Sequence, residues 1–254
     1  MTETWRFLNT GHQDAFTNMA VDRAILEAHK NGLVPPTIRV YGWIPPAISI
    51  GYFQGMTEEV DLQACRNNKV DCVRRVTGGG AVFHDKELTY SIVIAESHPA
   101  IPGNILESYG LICGALVEGL QSLGIKSIFA PINDIVVGNQ KISGNAQTRR
   151  YGVVLQHGTI LLDVDVEKMF SLLKVPNEKI KDKLISDVRQ RVTSCSKVLG
   201  RPVSFDDVAR ELRKGFEKTF HVTLVDGSLT KQELDWTQEF RREFFSQKNW
   251  NFRR

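Results

Sequence analysis

The sequence predicts an α+β fold with a mixed or antiparallel central sheet flanked by helices. Two observations carry this. β-rich runs fill the chain to about residue 165, and helical patterns fill 166–254. No repeat, linker or low-complexity tract divides the two parts, so residues 1–254 read as one domain, a sheet-rich core with a helix-rich part packed on it.

The elements follow in order. "WRFLNT" is a first strand. Asp14 to Gly32 carries a helical stripe of Phe16, Met19, Ala20, Ile25 and Leu26, with Gly32 as its stop. "TIRVYGW" (37–43) and "AISIGYF" (47–53) are β-rich, are separated by Pro45-Pro46, and read as paired strands. "TEEVDLQACRNN" reads as one short helix, its first-turn acids complementing the helix dipole. "DCVRRV", "AVFH" and "ELTYSIVIA" are strand-like. Over 104–124, Ile105, Tyr109, Ile112, Leu116, Leu120 and Leu123 fall on one helix face, and Gly124 ends it. Residues 134–143 form a hairpin around Gly138-Asn139, and "GVVLQHGTILLDV" is a further strand. Helices are then predicted over "DVEKMFSLL", over 204–220 with Ser204 as N-cap, and over 230–245 behind a Thr230-x-x-Glu233 capping box.

Composition narrows the function classes. Hydrophobic residues make up 42% and charged residues 24%, as in an ordinary soluble protein. Net charge is only +3 and the basic residues are scattered, which argues against a nucleic-acid partner. No apolar run reaches the roughly 18 residues of a membrane span, and the N-terminus has no secretory pattern. The four cysteines lack CxxC spacing and read as reduced thiols, so the expected location is the cytoplasm.

Two stretches stand out. In "RRVTGGGAVFHD" (74–85), Gly78, Gly79 and Gly80 strip side chains from extended backbone, so a ligand can lie against the peptide groups. Strand alternation sends Arg74 and Arg75 to opposite faces, and one of them reaches the cleft. The spacing fits neither a Walker loop nor a dinucleotide fingerprint. The bland alternative is a bulged hairpin, with His84 and Asp85 a loop hydrogen bond. In "NDIVVGNQKISGNAQTRR", Lys141 follows a tight turn and precedes the small residues Ser143, Gly144, Asn145 and Ala146. A lysine held there is a fixed charge for a carboxylate or phosphate, where a solvated hairpin lysine is the bland reading. Asn133 and Asp134 offer hard oxygens suited to Mg²⁺ beside a nucleotide, or else simply form a turn.

Together these stretches, with "LQHGTILL" downstream and "IRVYGWIPPAISIGYFQ" upstream, resemble the lipoate–protein ligase and octanoyltransferase family, which is related to the biotin ligases. The resemblance covers nearly the whole chain and is strongest from Arg39 to Asp165. It implies a biotin/lipoate ligase-like (class II synthetase-like) catalytic domain with a tunnel for a medium-chain acyl group. Gly78, Gly79, Gly80 and the adjoining Ala81 would lie along the acyl chain. Arg74 and Thr77 would sit near the phosphate and adenylate, and Lys141 would contact the acyl carbonyl. His157, Gly158 and Thr159 would wall the pocket, with His84, Asn133, Asp134 and the Ser143–Ala146 run completing it. Asp134 is the candidate Mg²⁺ ligand.

Family transferases accept the acyl group on a cysteine, and neither "FAPINDIVV" nor "RRYGVVLQHG" supplies one. That absence leads to the expectation of an ATP- and Mg²⁺-dependent lipoate–protein ligase. Such an enzyme makes lipoyl- or octanoyl-AMP and acylates a lysine of an apo lipoyl carrier domain of a 2-oxoacid dehydrogenase complex, or of the glycine-cleavage H protein. A C-terminus at Arg254 resembles short catalytic subunits that need a separate accessory subunit for adenylation. The alternatives are an acyl carrier protein-dependent octanoyl or lipoyl transferase and a non-enzymatic acyl-binding homologue. "KELTYS" and "AQTRRYGVVLQHGTILLD" lean toward the cysteine-dependent branch.

Overall fold

The structure, a computed structural model, describes residues 2–174 and 178–253. It opens with β1 (Glu3–Gln13), α1 (Ala15–Lys30), β2 (Thr37–Trp43) and β3 (Ala47–Ile50), followed by α2 (Met56–Glu59) and α3 (Leu62–Asn67). Next come β4 (Asp71–Arg74), β5 (Val82–His84), β6 (Glu87–Ala95), α4 (Ile105–Ser122), β7 (Ile128–Ala130) and β8 (Asp134–Val137). Then β9 (Gln140–Arg150) and β10 (Val153–Leu161) lead to α5 (Val166–Leu172), α6 (Glu178–Arg191), α7 (Cys195–Leu199) and α8 (Phe205–Phe220). The chain closes with β11 (Val222–Asp226), α9 (Lys231–Phe240), a π-helical turn over Arg241–Phe245, and α10 (Lys248–Asn251).

An eight-stranded mixed sheet runs β11-β1-β2-β6-β10-β9-β8-β7, and a three-stranded sheet runs β4-β3-β5. The predicted pairing of residues 37–43 with 47–53 is therefore corrected. β2 pairs with β1 and β6, while β3 pairs with β4 and β5. Two consecutive prolines have no N–H to offer a ladder, and the chain leaves one sheet for the other there.

The main core lies between this sheet and the α4/α8 pair. Those helices approach closely because each presents a glycine to the other. A Cβ on Gly119 would lie 2.8 Å from Leu212 Cα, and one on Gly215 would run into the Ala115 carbonyl. Tyr109, Ile112, Leu116 and Leu120 are buried as the stripe predicts, whereas Ile105 at the start of α4 is 55% exposed. On the opposite face, α1 buries Val21, Ile25 and Leu26 against β6 and β10.

The last third is less uniformly helical than its sequence suggests. β11 adds a parallel edge strand to β1, with Val222 and Leu224 inward and Thr223 and Val225 outward. Its five residues sit directly after α8, which His221 ends in the left-handed conformation at φ +54°. The helix expected over residues 57–68 is two short helices, because Asp61 caps a new start by accepting from Gln63 and Ala64. The 230–245 helix keeps its capping box but gives way to the π-helical turn at Arg241. No helix among the described residues is long and apolar enough to cross a membrane.

Candidate active site

A cavity of about 320 Å³ opens between the glycine loop, β9, β10 and the end of α6. Its apolar wall includes Met19, Tyr41, Trp43, Phe83, Leu161, Met169, Val188 and Val192, and its size is that of a small-molecule site. Of the predicted residues, Gly79, Gly80, Ala81, His84, Asn133 and Lys141 line it. So do Gly144, Asn145, Ala146, His157, Gly158 and Thr159. Arg74, Thr77, Gly78, Asp134 and Ser143 are not part of its lining.

The two arginines part as strand alternation requires, and the one predicted to face the ligand does not. Arg74 turns away and donates to six backbone carbonyls, those of Gly51, Tyr52, Gln54, Trp250, Asn251 and Arg253. It ties the C-terminal tail to the β3–α2 turn and is 1% exposed. Arg75 faces the cavity. Its guanidinium donates to the Ser49 carbonyl and Oγ, both at 3.1 Å, and to the Gly78 and Gly80 carbonyls, both at 2.8 Å. Burial lowers its pKa to about 10. A buried cation held by neutral oxygens favours a ligand that carries or develops negative charge.

The glycine run is shaped by close approach. Gly79 has φ +97°, and a Cβ on Gly51 would collide with the Gly79 carbonyl. Two backbones thus meet where a side chain would separate them. Thr77 acts from behind, with its Oγ1 2.7 Å from His157 Nε2. His157 Nδ1 lies 3.2 Å from Asp22 Oδ2, and Asp22 also takes bonds from Arg39 (2.7 Å), Tyr41 (2.9 Å) and Ser91 (2.9 Å). Burial pushes the Asp22 carboxyl up, but Arg39 and His157 together outweigh it and hold the group below its ordinary value. Burial also drives the His157 pKa down despite the Asp22 contact. A carboxylate can only accept, so Nδ1 donates to Asp22 and Nε2 is left to accept from Thr77.

On the other wall, the β8–β9 hairpin turns at Gly138, and Lys141 projects toward Asp134, its Nζ 2.7 Å from Oδ1. Gly144 makes room for it, since a Cβ there would sit 2.7 Å from both Lys141 Cε and Nζ. Asn133 and Asn145 clip the hairpin base. Asn133 Nδ2 donates to the Asn145 carbonyl (2.5 Å) and Asn145 Nδ2 to the Asn133 carbonyl (2.9 Å). Ser143, fully buried, accepts from Asn145 Nδ2 at 3.2 Å. At the predicted Mg²⁺ position the Asp134 carboxylate pairs with Lys141. Asn133 is committed to Asn145, and among the described residues no group of three or more His, Cys, Asp or Glu could hold a metal.

None of the four cysteines lines the cavity. Cys113 and Cys195 are buried thiols pushed up to about 12 by that burial. Cys65 and Cys72 belong to a separate apolar cluster around Ile48 and Ile50. Sequence reasoning left Arg75 undecided between two faces and missed Ser49, Tyr41 and Trp43. The signal for Ser49 was legible: one hydroxyl in the apolar run "AISI", whose neighbours Ile48 and Ile50 face the opposite way into that cluster.

Fold and cavity together define an enzyme of the lipoate ligase and octanoyltransferase class. A family model described as the lipoyl protein ligase A/B catalytic domain matches residues 14–217. The octanoyltransferase LipM of Geobacillus kaustophilus is 40% identical over 99% of this chain and 99% of its own length. The octanoyltransferase LipM of Bacillus subtilis is 34% identical, again over 99% of each. Among solved structures, the bi-partite lipoate protein ligase from Thermoplasma acidophilum superposes with a TM-score of 0.90 at 31% identity, covering 98% of this chain and 96% of that one. The chain belongs to the lipoyl protein ligase A/B catalytic domain family.

The relatives correct the expected activity. Full-length relatives at 34–41% identity are octanoyltransferases, which overturns the reading as an ATP-dependent lipoate–protein ligase. That reading inferred an adenylate from a missing thiol, but a thiol's absence does not say which activated acyl donor enters the cavity. "KELTYS" and "AQTRRYGVVLQHGTILLD" already pointed to the transferase branch.

Proposed function

We propose that this protein is an octanoyltransferase. It moves an eight-carbon acyl group from the thioester of an acyl carrier protein to one lysine amine of a lipoyl carrier domain or glycine-cleavage H protein. The observation that carries the reading is the full-length likeness to octanoyltransferases, joined to an apolar cavity whose lining includes the cations Arg75 and Lys141. The acyl chain lies along the apolar wall with its carbonyl at the polar end. Attack on that carbonyl places negative charge on its oxygen, and a fixed cation there stabilises the tetrahedral state more than the ground state. Arg75, Lys141 and the N–H groups of Gly79 and Gly80 take this role. Thr77 and Asp22 position His157, and Asp134 positions Lys141. The whole chain acts as one catalytic unit, since β11 from the last third completes the main sheet. The reading places the enzyme in the cytoplasm with its two carrier proteins.

The test is the intact mass of an apo lipoyl domain after incubation with this protein and octanoyl-acyl carrier protein, without ATP. A gain of one octanoyl group is expected. No gain, or a gain seen only with free octanoate and ATP, overturns the proposal.

A further inference from the structure

The cavity holds a carboxylate–imidazole–hydroxyl chain that the reading above leaves unused. Ser49 Oγ lies 2.8 Å from His84 Nε2, and His84 Nδ1 lies 2.6 Å from Glu87 Oε1. Ser49 and His84 both line the cavity, and Glu87 is buried behind them. The order of groups and the distances are those of a nucleophile, its general base and the base's orienting acid.

The chain is held rigidly. Thr89 Oγ1 donates to Glu87 Oε1 at 2.7 Å, and Trp43 Nε1 donates to Thr89 Oγ1 at 2.8 Å. The Trp43 ring stacks on the His84 imidazole, centroids 4.0 Å apart and planes 18° from parallel. With Nδ1–H directed at the Glu87 carboxylate, Nε2 is left to accept the Ser49 proton. Arg75 Nη1 donates to the same Oγ at 3.1 Å, so a cation stands where alkoxide character would develop. Asp22–His157–Thr77 has the same order of groups, and both hydroxyls are buried, but only that of Ser49 belongs to the cavity lining.

We infer that Ser49 is the acyl acceptor of this enzyme, forming an octanoyl-serine ester in the place of a cysteine thioester, with His84 as its base and Glu87 as a positioning residue. This rests on the transferase reading above. In the first half-reaction, Ser49 Oγ attacks the thioester carbonyl carbon and its proton passes to His84 Nε2. The carbonyl π pair moves onto oxygen beside Arg75 and Lys141. Collapse breaks the C–S bond, and the leaving thiolate takes the proton from His84. In the second, the acceptor lysine amine attacks the ester carbonyl and gives a proton to His84. The C–O bond breaks, and Ser49 Oγ recovers that proton. Thioester and amine become thiol and amide, with no further reactant.

The test is acid quench of the full-length wild-type protein with octanoyl-acyl carrier protein and no acceptor, read by intact mass and peptide mapping. One octanoyl group on the peptide containing Ser49, stable to neutral hydroxylamine as an oxygen ester is, supports the inference and needs no variant. Ser49→Ala then loses the adduct and about 10³-fold or more in turnover. Ser49→Cys regains an adduct that neutral hydroxylamine removes. An adduct on any other residue, or Ser49→Ala acylating the lipoyl domain within about threefold of wild type, a factor worth less than 1 kcal/mol, overturns Ser49 and leaves the transferase standing. Wild-type protein that acylates no lipoyl domain from the thioester overturns the transferase reading, and this inference with it.

Discussion

Lys141 and Asp134 face each other across the β8–β9 hairpin, Nζ to Oδ1 2.7 Å, each about a third or more exposed at 41% and 34%. A half-exposed pair is worth at most about 1 kcal/mol to folding, so its geometry serves the cavity rather than stability. Lys141→Ala is expected to lower octanoyl transfer by about 10²–10³-fold while the melting temperature moves by only a few degrees. A steady-state assay with a thermal melt on the same sample checks this. Unaltered turnover removes Lys141 from the reaction.

Adjacent arginines should fail in different ways. Arg74→Ala leaves six carbonyl acceptors without their donor, which costs about 3 kcal/mol or more and lowers the melting temperature by about 6–12 °C. Hydrogen exchange at residues 250–253 should rise with it. Arg75→Met removes a buried cation held by neutral oxygens. It should melt closer to wild type while losing at least about 10²-fold in turnover. Equal melting losses would contradict the assignment of one arginine to the scaffold and the other to the cavity.

Gly51 is fixed by its neighbour across the cleft. Any Cβ at that position meets the Gly79 carbonyl, so Gly51→Ala must push the glycine loop away from Arg75. A displacement of about 1 Å in a catalytic loop can cost about 10²-fold, and overpacking of this kind costs about 1–3 kcal/mol of stability. Wild-type turnover in Gly51→Ala would show that the loop does not hold the reacting carbonyl.

His157 ties stability to pH. Burial, outweighing Asp22, holds its folded pKa below the ordinary 6.5, so below 6.5 the unfolded chain takes up a proton that the folded chain refuses. This contribution to stability is full above 6.5 and declines as pH falls through and below it. His29, whose pKa is also lowered mainly by burial, adds in the same direction. Urea midpoints should be lower at about pH 5.5 than at about pH 7.5, and His157→Gln should shrink the difference without abolishing it. An unchanged difference in the variant would assign the effect to other groups.

Much of the scaffold was legible because local chemistry dictates it. Ser204 caps its helix, Thr230 and Glu233 form the capping box, and Gly138 turns the hairpin as its neighbours require. The glycine run and Lys141 were legible as cavity residues because three bare peptide units and a lysine among small residues leave room for a ligand. β11 was not, since five residues carry too little periodicity to separate from the helices around them, and only pairing with β1 makes them a strand.

The sequence by itself determined the fold class, the family and the two stretches that form the cavity, because each depends on residues near one another in the chain. Tertiary structure decided which arginine enters the cavity, that β2 and β3 belong to different sheets, and that Ser49, His84 and Glu87 stand in line beside Arg75. Those outcomes depend on contacts between residues dozens of positions apart. Ser49 and His84 are separated by 35 positions, and Asp22 and His157 by 135. Alternation along a strand fixes that Arg74 and Arg75 diverge, but only the tail carbonyls of Trp250, Asn251 and Arg253 decide which of them turns away.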